Sequence, residues 1–210
     1  DEDGGYSKQV NPEIDLRPST SVTMSFAPNL QYYFNTIQYV QATADANADA
    51  TFDKRYVFAN LHQTTLSAST RVAWTLSPAL SFQLYAQPFT AVGHYDRFKE
   101  LAKPRTREYL VYGKTGTSTI AATTSSSGAK TGYTVDPDGA GAAPSFSISN
   151  PDFRIHSLRG NAVVRWEYRP GSALFFVWQQ QRSGFQPYEG TFRTSRDVRD
   201  IFGQPSNVFL

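Results

Sequence analysis

Asp96, Glu100 and Glu108 could supply the paired carboxylates of a glycosidase, one as acid and one as base or nucleophile. They stand among Arg97, Lys99, Lys103, Arg105 and Arg107, so an ion-paired, solvated loop is the competing reading. Asp136-Pro137-Asp138-Gly139 sets two carboxylates two residues apart ahead of a glycine, as in half of a calcium loop. Its distal acid and remaining ligands are missing, and Pro-Asp-Gly is also an ordinary turn sequence. His62, His94 and His156 lie far apart with no ligand spacing between them, so no metal site is expected beyond that Asp136 and Asp138 candidate. Lys114-Thr115-Gly116 matches a fragment of the β-lactamase motifs without its partners, and no nucleophile elbow or phosphate loop occurs. The absence of cysteine removes disulfides, thiolate ligands and a Cys nucleophile. No catalytic residue and no cofactor are expected.

The elements around these residues are better defined than the residues themselves. Three alternating strands run into short proline turns and straight out into further strands, at Arg17-Pro18-Ser19-Thr20, Ser77-Pro78-Ala79-Leu80 and Arg169-Pro170-Gly171-Ser172. Longer polar segments join the strands at their other ends: Ala42 to Lys54, and Ala91 to Phe153. Short turns at one end and long loops at the other predict an all-β, antiparallel up-and-down barrel of the outer-membrane type. In such a barrel the turns at Pro18, Pro78 and Pro170 face the periplasm and the long loops face outside.

From Ser21 to about Val40, even positions are apolar (Val22, Met24, Phe26, Pro28, Leu30, Tyr32, Phe34) and odd positions mainly polar. The phase survives Pro28, which predicts one long strand with Pro28 at a bulge or weak edge rather than a turn. Strands are also expected over Ile14 to Leu16, Arg55 to Leu76, Leu80 to Pro88, Asn161 to Tyr168 and Ala173 to Gln179. A short helix is compatible with Asp96 to Leu101 and another with Thr194 to Phe202. The segment Gly113 to Ala143 is rich in Gly, Ser, Thr and Ala and predicts part of a long exposed loop over about 103–153. The strands approach or exceed the roughly 9–11 residues that cross a bilayer at a tilt.

Period two does not say which face is wet. A barrel in lipid turns its apolar face outward, whereas a soluble sandwich turns it into a core. On the polar face, Arg71, Gln83, Tyr85, Gln87, Arg165 and Glu167 are candidate lumen residues. On the apolar face, Trp74, Trp166, Tyr168 and Trp178 are candidate membrane-interface aromatics. The chain carries 15 Phe and 12 Tyr against one Met, an aromatic load that suits such a girdle. A net charge of +2 with no basic run argues against a nucleic-acid partner.

Two stretches carry a resemblance to a known family. They are Arg55 through Tyr109, including Phe82-Gln83-Leu84-Tyr85-Ala86-Gln87-Pro88-Phe89 and Phe98-Lys99-Glu100-Leu101, and Ser157 through Ser172. Both resemble the C-terminal barrel region of a large bacterial family of unknown function. In that family a carbohydrate-binding family-nine-like β-sandwich precedes an outer-membrane β-barrel. Asp136-Pro137-Asp138-Gly139 and Asn207-Val208-Phe209-Leu210 also fit its pattern. The resemblance implies an upstream sugar-binding module and a last strand after Leu210, and it carries no catalytic residues over.

The chain opens Asp1-Glu2-Asp3, without an initiator Met or signal peptide, and is read as a mature or excised piece. About six strands and a fragment are legible, fewer than the roughly eight of the smallest outer-membrane barrels. Residues 1–210 are thus expected to be part of one barrel domain in the bacterial outer membrane, an anchor and candidate pore tied to glycan binding or uptake. Its expected partners are the lipid bilayer, glycans, and the rest of the barrel or another chain at open strand edges. The alternatives are a soluble carbohydrate-binding sandwich, with Tyr85 and Phe89 stacking on sugar, and a glycan hydrolase.

Overall fold

The computed structural model describes residues 4–187 and 191–203. The chain is all-β and antiparallel. Its strands are β1 (Tyr6–Val10), β2 (Ile14–Ser19), β3 (Val22–Ala44), β4 (Lys54–Ser77), β5 (Leu80–Leu101), β6 (Tyr109–Val111), β7 (Thr119–Thr124), β8 (Lys130–Asp136), β9 (Phe146–Ser149), β10 (Phe153–Arg169) and β11 (Ser172–Pro187), followed by helix α1 (Thr194–Phe202). One large sheet has the order β1-β3-β4-β5-β10-β11, with β2 continuing β1 along β3 and β6 pairing with β5 beyond β10. Among the described residues β1 and β2 pair only with β3, and β11 only with β10, so the sheet has two open edges. β7, β8 and β9 form a second, three-stranded sheet.

The hairpins are as tight as the sequence requires. Pro78-Ala79 links β4 to β5, and Pro170-Gly171 links β10 to β11, with Gly171 at φ 77°. In the second of these, proline fixes the first turn position and Gly171 accepts the left-handed second one, the signature of a type II turn. The first turn is shifted from its expected place: Thr20-Ser21 makes it, and Pro18 lies inside β2, where the register slips between Leu16 and Ser19.

β3 runs without interruption through Pro28, which sits opposite Ala68 of β4 in unbroken register. No bulge forms there; the register shifts come later, after Asn35 and after Tyr39. On the other side, the pairs Val10–Leu30 and Ile14–Phe26 set Pro12 across from Pro28. Neither proline has an N–H to donate, so the ladder lapses at that point and the edge divides into β1 and β2.

β3, β4 and β5 contain 23, 24 and 22 residues, about 75 Å of extended chain each at roughly 3.3 Å per residue. β3 thus outruns its expected end at Val40. β5 passes through the segment expected as a mixed loop with a short helix at Asp96 to Leu101, and stays a strand to Leu101. A bulge makes this continuation workable. Asn60 faces Asp96 while Phe58 faces Lys99, so β5 holds one extra residue, near Arg97 at φ 49°. Beyond it Phe98 and Glu100 change faces.

Burial is concentrated at the long-loop end. Val57, Ala59, Phe98 and Tyr112 form a core with Val135 and Ile148, and Tyr95, Ile120, Tyr133 and Phe146 pack around it. The small sheet therefore lies on the polar face of the large one, contrary to the plain exposed loop expected there. Its grip is completed by Gln41 donating to the Ser147 carbonyl at 2.9 Å. The Phe98 and Tyr133 rings approach to 4.6 Å. Helix α1, at its expected position, packs on β10 and β5, where Arg154 pairs with Asp200 at 2.9 Å. The closing segment Asn207 to Leu210, expected to begin a strand, lies outside the described residues.

Candidate functional site

The turn-proximal half of the large sheet has two unlike faces. One carries Met24, Phe26 and Leu30 of β3, Val72 and Trp74 of β4, Phe82 and Leu84 of β5, Val164 and Trp166 of β10, and Leu174, Phe176 and Trp178 of β11. The register lines these residues up across the sheet. Its large side chains are left uncovered: Trp74 and Trp166 are 46% exposed, Trp178 47% and Phe176 59%. Trp166 and Tyr168 meet edge to face at 6.3 Å near the Pro170 turn. The four aromatics expected at a membrane interface thus share one exposed apolar face.

The other face is polar and carries an open hollow of about 480 Å³, with Asp15, Arg17, Arg71, Gln83, Tyr85 and Asn161 among its lining residues. Arg71 lies over the Tyr85 ring at 5.2 Å, a cation–π contact. Gln87 follows Tyr85 by two along β5 and so shares the face. Arg165 and Glu167 pair with each other at 2.8 Å, and Glu167 also accepts from the Gly171 amide at 3.2 Å. Arg71, Gln83 and Tyr85 therefore meet at the hollow, Gln87 shares their face beyond it, and Arg165 and Glu167 form a rim pair that secures the third hairpin.

The three candidate glycosidase carboxylates are not brought together. Asp96 precedes the β5 bulge and faces His62 at 3.4 Å. Glu100 follows it and lies on the opposite face, 5% exposed, where Arg55 donates to both its oxygens at 2.7 and 2.8 Å and the Tyr112 hydroxyl donates at 3.0 Å. Arg55 also donates to Asp45 at 2.6 Å. Burial and the adjacent Glu100 carboxylate push the Tyr112 phenol far above its ordinary range. Glu108 is exposed and meets Lys103 at 3.6 Å. The solvated ion-paired loop describes Glu108 alone; Glu100 belongs to a buried network on a strand.

A cluster that sequence reasoning missed occupies the same face as the apolar residues, nearer the long-loop end. The Tyr32 hydroxyl and His62 Nδ1 are 2.9 Å apart, His62 and His94 are register partners, and Thr64, Val92 and Phe192 complete a cleft of about 470 Å³. His94 Nδ1 lies 3.0 Å from Asp152, which also accepts from Lys130 at 2.8 Å and from the Tyr95 amide at 2.7 Å. Burial raises Asp152, but hydrogen bonds from His94, Lys130 and Tyr95 outweigh it and hold the carboxyl below its usual value of 3.8. Only the cross-strand register joins His62 to His94, which is why spacing along the chain gave no signal.

At Asp136 and Asp138 the carboxylates serve the backbone. Asp136 accepts from the Gly139 amide at 2.8 Å, and Asp138 from the Ala143 amide at 2.9 Å. Both are turn-forming contacts. No cluster of three or more His, Cys, Asp or Glu suited to a metal occurs among the described residues.

No family model, no curated protein and no solved structure matches this chain. Among the described residues no helix is long and apolar enough to cross a membrane, which says nothing of strands.

Proposed function

We propose that this chain is a segment of a bacterial outer-membrane β-barrel, a non-catalytic anchor and candidate pore that serves glycan capture or uptake. The observation that carries this reading is the inversion of the sheet's faces. The hollow opens on the polar face, and the apolar face stays uncovered over the turn-proximal half of the sheet. A soluble sheet of this size buries such a face against a second layer, whereas lipid covers it in a barrel.

Strand length supports the same reading. Roughly 9–11 residues cross the hydrocarbon, so strands of 22 to 24 residues leave about half their length outside, where the small sheet and α1 sit. The open edges then meet further strands of the same barrel or of another chain. Because β7 to β9 cover the polar face at the outer end, anchoring is favoured over free passage. The link to glycans rests on the family resemblance alone. In this reading the three hairpin turns face the periplasm.

The test is membrane partition of the native protein, combined with gel migration of heated and unheated samples. It is expected to require detergent and to migrate differently on heating. A protein that stays soluble and monomeric without detergent sinks the barrel and favours the soluble binding module.

A further inference from the structure

One register row crosses the polar face near the hairpin rim. Asp15 of β2 faces Ser25 of β3, and Ser25 faces Arg71 of β4. Arg71 in turn faces Tyr85 of β5, and Tyr85 faces Asn161 of β10. All five line the hollow of about 480 Å³, and Arg17 joins them from the rim side of Asp15. Residues opposite one another in antiparallel strands share a face, so the row turns a carboxylate, a hydroxyl, a guanidinium, a phenol and an amide toward one space. Its charges are of both signs and uncompensated. Arg165 and Glu167 nearby pair with each other at 2.8 Å, but no ion pair joins Asp15, Arg17 or Arg71 to any group among the described residues, and all three are exposed. Stacking on Tyr85 at 5.2 Å holds the Arg71 guanidinium while leaving its N–H donors free of carboxylates.

We infer that this hollow binds a short zwitterionic peptide, its ammonium on Asp15 and its carboxylate on Arg71. The mixed charge selects the class. A plain anion suits the guanidiniums but meets Asp15, a plain cation meets two guanidiniums, and a neutral saccharide leaves both signs unanswered. A ligand carrying both charges answers both, through charge-assisted hydrogen bonds at each end. The spacing sets the size. Asp15 and Arg71 stand on the strands either side of β3, two strand spacings or roughly 10 Å apart. Three extended residues span at most roughly 10–11 Å, so the termini of a tripeptide match that separation. A planar guanidinium fork fits the carboxylate, and Gln83 and Asn161 add neutral donors and acceptors on the same side of the hollow. The inference goes beyond the barrel reading and rests on it only in calling this face a lumen; peptide binding itself requires just the hollow and its opposed charges.

Calorimetric titration of the full chain in detergent with trialanine tests it, beside N-acetyl-trialanine, which lacks the ammonium, and trialanine amide, which lacks the carboxylate. Trialanine is expected to bind roughly tenfold more tightly than either capped form, the scale of one charge-assisted hydrogen bond. D15N is expected to remove the penalty for acetylation and keep that for amidation, and R71Q to do the opposite. K114Q removes a charge from an exposed site at the loop end and is expected to keep both penalties. No trialanine binding, equal binding of all three peptides, or penalties unmoved by D15N and R71Q overturns the site. Binding of maltotriose in place of the peptide overturns it too, and makes the hollow a saccharide site. Selective peptide binding by a protein that never enters membranes retains this inference and removes the barrel, and insertion without peptide binding does the reverse.

Discussion

Glu100 shows how a carboxylate with a catalytic neighbourhood in sequence can be committed to structure. Arg55 takes both its oxygens, and the two side chains are 10% and 7% exposed, so neither can turn to water if the other is lost. Stripping a buried charge of its sole partner costs about 3–5 kcal/mol; Arg55 keeps Asp45 at 2.6 Å when Glu100 is neutralised, so the loss is smaller than that. Glu100→Gln is therefore expected to lower the urea midpoint measurably, whereas Glu108→Gln, at an exposed pair, should leave it nearly unchanged. Equal midpoints for the two variants would remove the structural role assigned to Glu100. Asp152 adds a pH dependence. Its folded value lies below the unfolded 3.8, so its stabilisation is complete above that pH and is lost as pH falls through the folded value. Asp152→Asn should flatten that part of the acid unfolding curve, and should also destabilise at neutral pH by stranding Lys130. A parent-like acid profile in the variant would place the titration elsewhere. Neither network was legible in the sequence. Arg55 and Glu100 are 45 positions apart, and residues so distant meet only when strands pair in one register.

Elements were more legible than contacts, for reasons that particular residues make plain. The alternation through Pro28 survived because its register with Ala68 of β4 is unbroken, and the missing donor coincides with the gap between β1 and β2 beside Pro12. Pro78-Ala79 and Pro170-Gly171 fixed two hairpins by local backbone preference alone. α1 followed from a short polar stretch with apolar Val198 and Ile201 three apart, and Ile201 is buried. The small sheet was hidden because its strands are four to seven residues long and its surroundings are mostly Gly, Ser, Thr and Ala. Its signal was Tyr133 with Val135 and Phe146 with Ile148, two apolar pairs at strand spacing. Val135 is fully buried, so Val135→Asp is expected to release β7 to β9 while the hairpins persist. Limited proteolysis should then cut within 113–150 and leave a core containing β3 to β5. Uniform degradation would mean that the two sheets fold as one unit, and an uncut loop would mean that the core under Val135 is not what holds it.

At the scale of the molecule the central question is what covers the apolar face, and the chain contains its own probes. Its three tryptophans, Trp74, Trp166 and Trp178, all lie on that face and are nearly half exposed. In a barrel they sit against lipid, Trp74 and Trp166 close to the proline-turn interface and Trp178, across from Ala162, deeper along the strand. In a soluble sandwich they would be enclosed by protein on both sides. Brominated phospholipid quenches only fluorophores it can touch, so the two arrangements give opposite results in reconstituted vesicles. The barrel reading expects strong quenching, greatest when the bromines sit high on the acyl chain, because two of the three indoles lie near the headgroups and Trp178 alone lies deeper. Trp74→Phe and Trp166→Phe should each remove part of the quenched signal. Strong quenching by deep bromines alone would keep the membrane but move the hairpin rim inward from the interface. Emission indifferent to bromine in every position would mean that protein covers the face, and the unpaired edges of this sheet would then have to be closed by a second layer instead of by further strands of a barrel.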